Sequence, residues 1–243
     1  NQSAVGTVSA SVEVAGTPSY SIVGGAGAAL FSIDSTSGVL VFNSAPDFEA
    51  PADSGADNVY DVTVQVADGN GGTGTQAIAV TIGNVNEAPV ISSDGSGASA
   101  TLGVAENQTA VTMLTSSDVD GGTPSYSIVG GADAALFSID SATGVLTFNI
   151  APDFELPADA GADGTYNLTV QVADGNGGTG TQLLTVRVGN VNEAPLITSS
   201  AAVTAAENQT AALTVTSSDV DGAAPVYTIV GGADAALFTI DSA

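Results

Sequence analysis

Residues 165–188 read TYNLTVQVADGNGGTGTQLLTVRV. Tyr166, Leu168, Val170 and Val172 alternate with Thr165, Asn167, Thr169 and Gln171, a period of two that sends successive side chains to opposite faces of a sheet. Leu184, Val186 and Val188 alternate in the same way with Thr185 and Arg187, which directs Arg187 to solvent. Between the two runs, DGNGG at 174–178 supplies the glycines that a tight connection with positive φ requires. Two half-buried strands joined by a short turn predict an all-β fold.

Working outward, further short runs at 111–115, 125–129, 136–139 and 145–148, with an early strand near 90–92, follow the same pattern. β-branched residues dominate them and no long helical periodicity appears; Pro152 to Leu156 is the one candidate for a short helical turn. About seven strands per unit predict an immunoglobulin-like Greek-key sandwich. The unit repeats. TPSYSIVGGA at 17–26 recurs at 123–132, VQVADGNGGTGTQ at 64–76 recurs at 170–182, and GNVNEAP at 83–89 recurs at 189–195. A period of about 100 residues suits one independent domain. Three copies follow: 1–89, lacking its first strand; 90–195, complete; and 196–243, the first half of a third. An excerpt from a longer array is the expected explanation of the out-of-register ends, with completion by a neighbouring chain as the alternative.

Composition narrows the chemistry. Asp and Glu number 26 against a single basic residue, giving a formal charge of −25. Such a chain repels nucleic acid and anionic membrane surfaces. No apolar run approaches membrane-spanning length. The absence of Cys, His and Lys removes thiolate, imidazole and Schiff-base chemistry and the usual zinc sites. Cations are the natural partners.

The acids recur at fixed offsets. Asp47 and Glu49, or Asp153 and Glu155, lie within APDFE. The linkers carry Asn84, Asn86 and Glu87, or Asn190, Asn192 and Glu193, and DVDG later brings Asp118 and Asp120, or Asp219 and Asp221. In the second copy the order runs AEN (105–107), DVD (118–120), FSIDSATG (137–144), DFE (153–155), ADG (173–175) and NVNEAP (190–195). This order resembles a cadherin repeat, especially the bacterial cadherin-like kind, across the whole chain. The resemblance implies a rod of tandem cadherin-type sandwiches with calcium chelated at each boundary. It implies one junction of Asp47, Glu49, Asn84, Asn86, Glu87, Asp118, Asp120 and Asp174. It implies a second of Glu106, Asp153, Glu155, Asn190, Asn192, Glu193, Asp219 and Asp221. Calcium takes about 6–8 oxygen ligands from carboxylates and amide carbonyls, which these residues supply. The linker is one residue shorter and less acidic than the family pattern. In the first copy Val12 and Val14 replace the two aspartates, which predicts a looser joint before Asn1.

Other acids read as structural. Asp34, Asp140 and Asp241 precede turns, where an Asx side chain caps backbone amides. Asp133 and Asp234, with Gly27 equivalent in copy one, read as ordinary surface residues. Asp53, Asp57, Asp159 and Asp163, in a Pro/Ala/Gly-rich loop, read as solubilising. DVDG lacks the distal Glu of an EF-hand loop. Paired carboxylates suit glycoside hydrolysis, but a chain without Trp and with 5% aromatics lacks the residues of a sugar cleft. No enzyme activity is expected. The reading is a calcium-stiffened structural or adhesive segment of a long extracellular surface protein or filament. Its partners are calcium, neighbouring repeats, and like chains or surface polysaccharide. A carbohydrate-binding module is the alternative.

Overall fold

The computed structural model describes residues 3–11 and 16–242. The expectation about Val12 and Val14 lies outside the described residues. Two compact units are present: Asn1–Glu87 with Val119–Gly121, and Ala88–Asp118 with Gly122–Ala243.

The first unit carries β1 (Ala4–Thr7), β2 (Ser19–Gly24), β3 (Phe31–Ile33), β4 (Val39–Phe42), β5 (Val59–Ala67) and β6 (Thr73–Thr81). They form two sheets, β1-β4-β3 and β2-β5-β6. Between them Phe31, Leu40, Phe42, Tyr60, Val62 and Val64 make the core. The alternation of Tyr60, Val62 and Val64 along β5 buries one face of that strand, as a two-residue period demands.

The second unit repeats the plan more completely. It carries β7 (Val90–Ile91), β8 (Ser99–Ala105), β9 (Ala110–Met113), β10 (Ser116–Ser117), β11 (Ser125–Gly130), β12 (Phe137–Ile139), β13 (Val145–Phe148), β14 (Thr165–Ala173) and β15 (Thr179–Gly189). One sheet runs β11-β14-β15-β8, the other β12-β13-β9, and β7 pairs with β10. Phe148 of one sheet meets Tyr166 of the other edge-on at 5.1 Å between ring centroids. Leu146, Leu168, Val170, Val172, Leu184 and Val186 are fully buried around them. Arg187 is exposed, as its place in the alternation predicts. The DGNGG connection brings Gly175 and Gly177 to φ 83° and 108°. Downstream, β16 (Leu196–Ile197) pairs with β17 (Ser217–Ser218).

Two expectations need correction. Residues 152–156 are irregular, and the helical turns lie instead at Ala28–Leu30, Ala134–Leu136 and Ala235–Leu237. Strand β8 was not foreseen, because SATLGVA carries only two large apolar residues, Leu102 and Val104. Its pairing defines it: it lies parallel to β15 in unbroken register from Leu183↔Ser99 to Gly189↔Ala105.

Candidate functional site

In the first unit a carboxylate group forms from Glu49, Glu87 and Asp120, each offering an oxygen within 4.8 Å of the others. The linker builds it. Asp120 accepts the backbone N–H of Glu87 at 2.7 Å and the Asn84 amide at 2.8 Å. Asn86 donates its side-chain amide to the Glu87 carbonyl at 3.0 Å. Asp47 accepts the Glu49 backbone N–H at 3.1 Å, which turns the DFE segment. Among the described residues Glu87 Oε2 is buried with no hydrogen-bond partner.

The charges respond to this crowding. Burial lifts the Glu87 carboxyl above its ordinary range, and the neighbouring Asp120 and Asp47 carboxylates add to it. Burial also raises Glu49, with further contributions from Glu87 and Asp120. Asp120 moves the other way, held down first by the Glu87 N–H and then by the Asn84 amide. Burial and neighbouring like charges thus raise the two glutamates, while donated hydrogen bonds lower Asp120.

The second unit holds a group of Glu106, Glu155 and Glu193, again within 4.8 Å, in which Glu155 and Glu193 are the repeat counterparts of Glu49 and Glu87. Glu106 is only 3% exposed. Its two oxygens accept the Phe154 N–H at 2.8 Å and the Val191 N–H at 2.7 Å, which fastens DFE and the linker to the end of β8. Asn190 donates to Glu155 at 2.9 Å, and Asp221 accepts the Glu193 N–H at 2.7 Å. Asn192 donates to the Glu193 carbonyl at 2.8 Å. Glu193 Oε2 is buried and unpartnered, like its counterpart Glu87 Oε2. Burial raises the Glu155 carboxyl, and the charges of Glu106, Glu193 and Asp221 raise it further.

Similarity to known proteins bears on the fold. Residues 86–187 match the family model for a bacterial Ig domain. The crystal structure of human CDH23 EC21-23 is 18% identical over 84% of this chain and 69% of that one, with a TM-score of 0.53. Mouse Cadherin-23 EC22-24 is 20% identical over 90% of this chain and 71% of that one, with a TM-score of 0.52. These likenesses show the fold, an immunoglobulin-like β-sandwich like that of cadherin domains. Protocadherin Gamma B2 extracellular cadherin domains 3-6 share 27% identity over 75% of this chain, at a TM-score of 0.47, and the chain spans 44% of that fragment's length. No curated protein matches it in sequence.

Within this fold the remaining predicted residues play visible local roles. Asp153 accepts the Leu156 N–H at 2.8 Å, and Asp219 accepts the Asp221 N–H at 3.1 Å. Asp174, 6% exposed, accepts the Asn176 N–H at 2.7 Å and the Gly178 N–H at 3.0 Å, so it shapes the DGNGG turn. Asp118 lies in the second unit, half-buried beside Val119. Asn107, which sequence reasoning left aside, donates to Glu193. Its place in AEN, one residue after Glu106, was the available signal.

Several acids read as surface residues are instead structural. Asp133 is 3% exposed and accepts the Ala160 and Asn167 N–H groups, each at 2.7 Å. Asp159 is 6% exposed and accepts from Gly161, Asp163 and Gly164. Asp53 does the same for Gly55, Asp57 and Asn58. Buried carboxylates survive where backbone amides converge on them. Asp34 and Asp140 cap their turns as predicted, and those hydrogen bonds lower both carboxyls.

Proposed function

We propose that this chain is a calcium-binding structural or adhesive segment of an extracellular repeat protein, without catalytic activity. The observation that carries the reading is the buried, unpartnered carboxylate oxygen at the same repeat position twice, Glu87 Oε2 and Glu193 Oε2, each inside a group of three carboxylates. An orphaned anionic oxygen is costly in a folded protein, and a hard divalent cation satisfies it. Glu49, Glu87 and Asp120 would hold an ion in the first unit, and Glu106, Glu155 and Glu193 in the second, with linker asparagines and carbonyls adding oxygens.

Calcium supplies charge neutralisation there. The chain's own residues do the positioning: Asn84 and the Glu87 N–H orient Asp120, and the Phe154 and Val191 N–H groups orient Glu106. Without the cation the carboxylates repel, at about a kcal/mol per close pair even under strong screening. Because the ordered linker binds the ion better than a disordered one, calcium stabilises that order by linkage. On this reading the ions stiffen the linker segments at 83–89 and 189–195, and so the array.

Calorimetric titration with calcium and small-angle scattering in calcium and in chelator test the proposal. Binding together with an extended, calcium-dependent radius of gyration is expected. Equal melting temperatures and an unchanged radius of gyration in the two conditions would overturn it.

A further inference from the structure

The turns between β5 and β6 and between β14 and β15 hold the chain's only Asn-Gly pairs, Asn70-Gly71 and Asn176-Gly177. Each turn is pinned on either side of its pair. Asp174 Oδ1 accepts the Asn176 N–H at 2.7 Å and the Gly178 N–H at 3.0 Å. Asp68 Oδ1 accepts the Asn70 and Gly72 N–H groups at 2.7 and 2.9 Å. Between those donors the N–H of Gly177, or of Gly71, meets no acceptor among the described residues, and neither Asn side chain makes a hydrogen bond there. Both pairs are exposed, and a Cβ built on either second glycine would meet nothing within 4 Å.

The other asparagines of the two repeats are held. Asn84, Asn86, Asn190 and Asn192 each donate a side-chain hydrogen bond at the linkers. Asn43, Asn58, Asn107 and Asn149 donate as well, and Asn167 accepts the Thr185 hydroxyl. At the linkers the next backbone N–H is also engaged: Glu87 with Asp120, Val191 with Glu106, and Glu193 with Asp221. Asn208 makes no side-chain hydrogen bond among the described residues, but Gln209 follows it.

We infer that Asn176, with Asn70 as its counterpart, is a site of spontaneous covalent modification through a succinimide. The Gly177 backbone nitrogen attacks Asn176 Cγ. The N–Cγ bond forms and the Cγ–Nδ2 bond breaks. The amide leaves as ammonia, taking the proton of the glycine N–H. Water then opens the ring at either carbonyl, giving aspartate or isoaspartate with no change of oxidation state. Glycine permits the step because no Cβ shields its nitrogen. Each conversion adds one negative charge to a chain that already carries −25. The isoaspartate product also inserts a main-chain carbon between the two N–H groups that Asp174 now spans. The chemistry is independent of calcium.

The test incubates the whole chain in mildly alkaline buffer made with heavy-oxygen water and maps its peptides by mass spectrometry. Residues 70 and 176 should gain the mass of an amide-to-acid change with heavy oxygen, isoaspartate exceeding aspartate, while the linker asparagines stay intact. Asn176→Gln should abolish conversion at 176 and leave that at 70. A synthetic peptide of residues 170–182, VQVADGNGGTGTQ, sets the unrestrained rate. The folded chain should convert at 176 within about tenfold of that rate, an added barrier below ~1.4 kcal/mol. Slower conversion, aspartate without isoaspartate, or equally fast conversion at the linker asparagines would each overturn the inference.

Discussion

Replacing Asp133 by Ala should destabilise the second unit by about 2 kcal/mol. The side chain is 3% exposed, and its two oxygens accept the Ala160 and Asn167 N–H groups at 2.7 Å each. A hydrogen bond to a charged group contributes about 1.5–3 kcal/mol, so two represent about 3–6 kcal/mol. Truncation also releases the desolvation cost of a buried carboxylate, several kcal/mol in size, which offsets much of that. The first unit is an internal reference, since Gly27 stands at this position there. Urea unfolding followed by amide resonances should show the transition of 125–173 moving to lower urea while that of 19–67 stays in place. A loss below about 0.5 kcal/mol, the range of an ordinary surface substitution, would refute the reasoning. The reciprocal Gly27→Asp change starts from a compatible backbone, φ −94° and ψ 4° against −110° and 10° for Asp133. It places a carboxylate toward the N–H groups of Ser54 and Asp61. The new Cβ meets the Asp61 carbonyl oxygen at 3.1 Å, and the Asp61 charge replaces neutral Asn167. A gain of no more than about 1 kcal/mol is therefore expected.

Glu87→Gln and Glu193→Gln should each remove calcium binding from one unit, seen as the loss of one class of sites by titration calorimetry, while chelator-treated stability stays level or rises. Gly144→Ala should cost at least about 2 kcal/mol in a urea melt, because φ is +72° and a Cβ would sit 2.4 Å from the Leu114 carbonyl oxygen. In chelator, stability should depend on pH in two senses. Glu49 and Glu87, with raised folded values, hold protons more tightly folded than unfolded. Their contribution is fully present below the ordinary Glu value of about 4.3 and is lost as pH rises through the folded values. Asp34, Asp120 and Asp140 are depressed, so theirs is present above the ordinary Asp value and lost as pH falls through the folded values. The first unit's melting temperature should thus rise as pH drops from 7 into the Glu range and fall again in stronger acid. Calcium should reverse the upper limb.

The strands were legible where large apolar residues alternate, as in Tyr166 to Val172, because burial of one face alone decides them. Strand β8 was not, since Ser, Ala and Gly carry little pattern and its conformation comes from pairing with β15. The three-carboxylate groups were legible as sets of spacings, since every member lies in a motif that recurs. What spacing could not tell was which acids already have donors. Asp174 lies in a motif as regular as any, yet both its oxygens accept amides of its own turn. Asp133 has no counterpart in the first copy and so read as incidental, although backbone groups 27 and 34 residues away converge on it. That convergence is a tertiary fact with no local signature.

Two repeats of closely similar sequence separate structural acids from the others by a simple criterion, whether their oxygens are already occupied. Asp34, Asp53, Asp140, Asp159 and Asp174 each accept N–H groups from their own loop, so folding alone accounts for them. Glu87 and Glu193 are different, because each buries an oxygen that no donor among the described residues reaches. Burial without a partner opposes folding, and here it occurs at the same offset in both units beside two further carboxylates. The protein has one side chain able to neutralise such a group, Arg187, and it is exposed on β15. On the proposed reading the compensating charge is a cation from solution. The donors available to it are all oxygens, carboxylate and amide, with no nitrogen or sulfur ligand among them. On that reading the donor set would favour a hard cation, and several carboxylates on flexible Glu and Asp arms would suit the irregular, high coordination number of calcium better than the strict octahedron of magnesium.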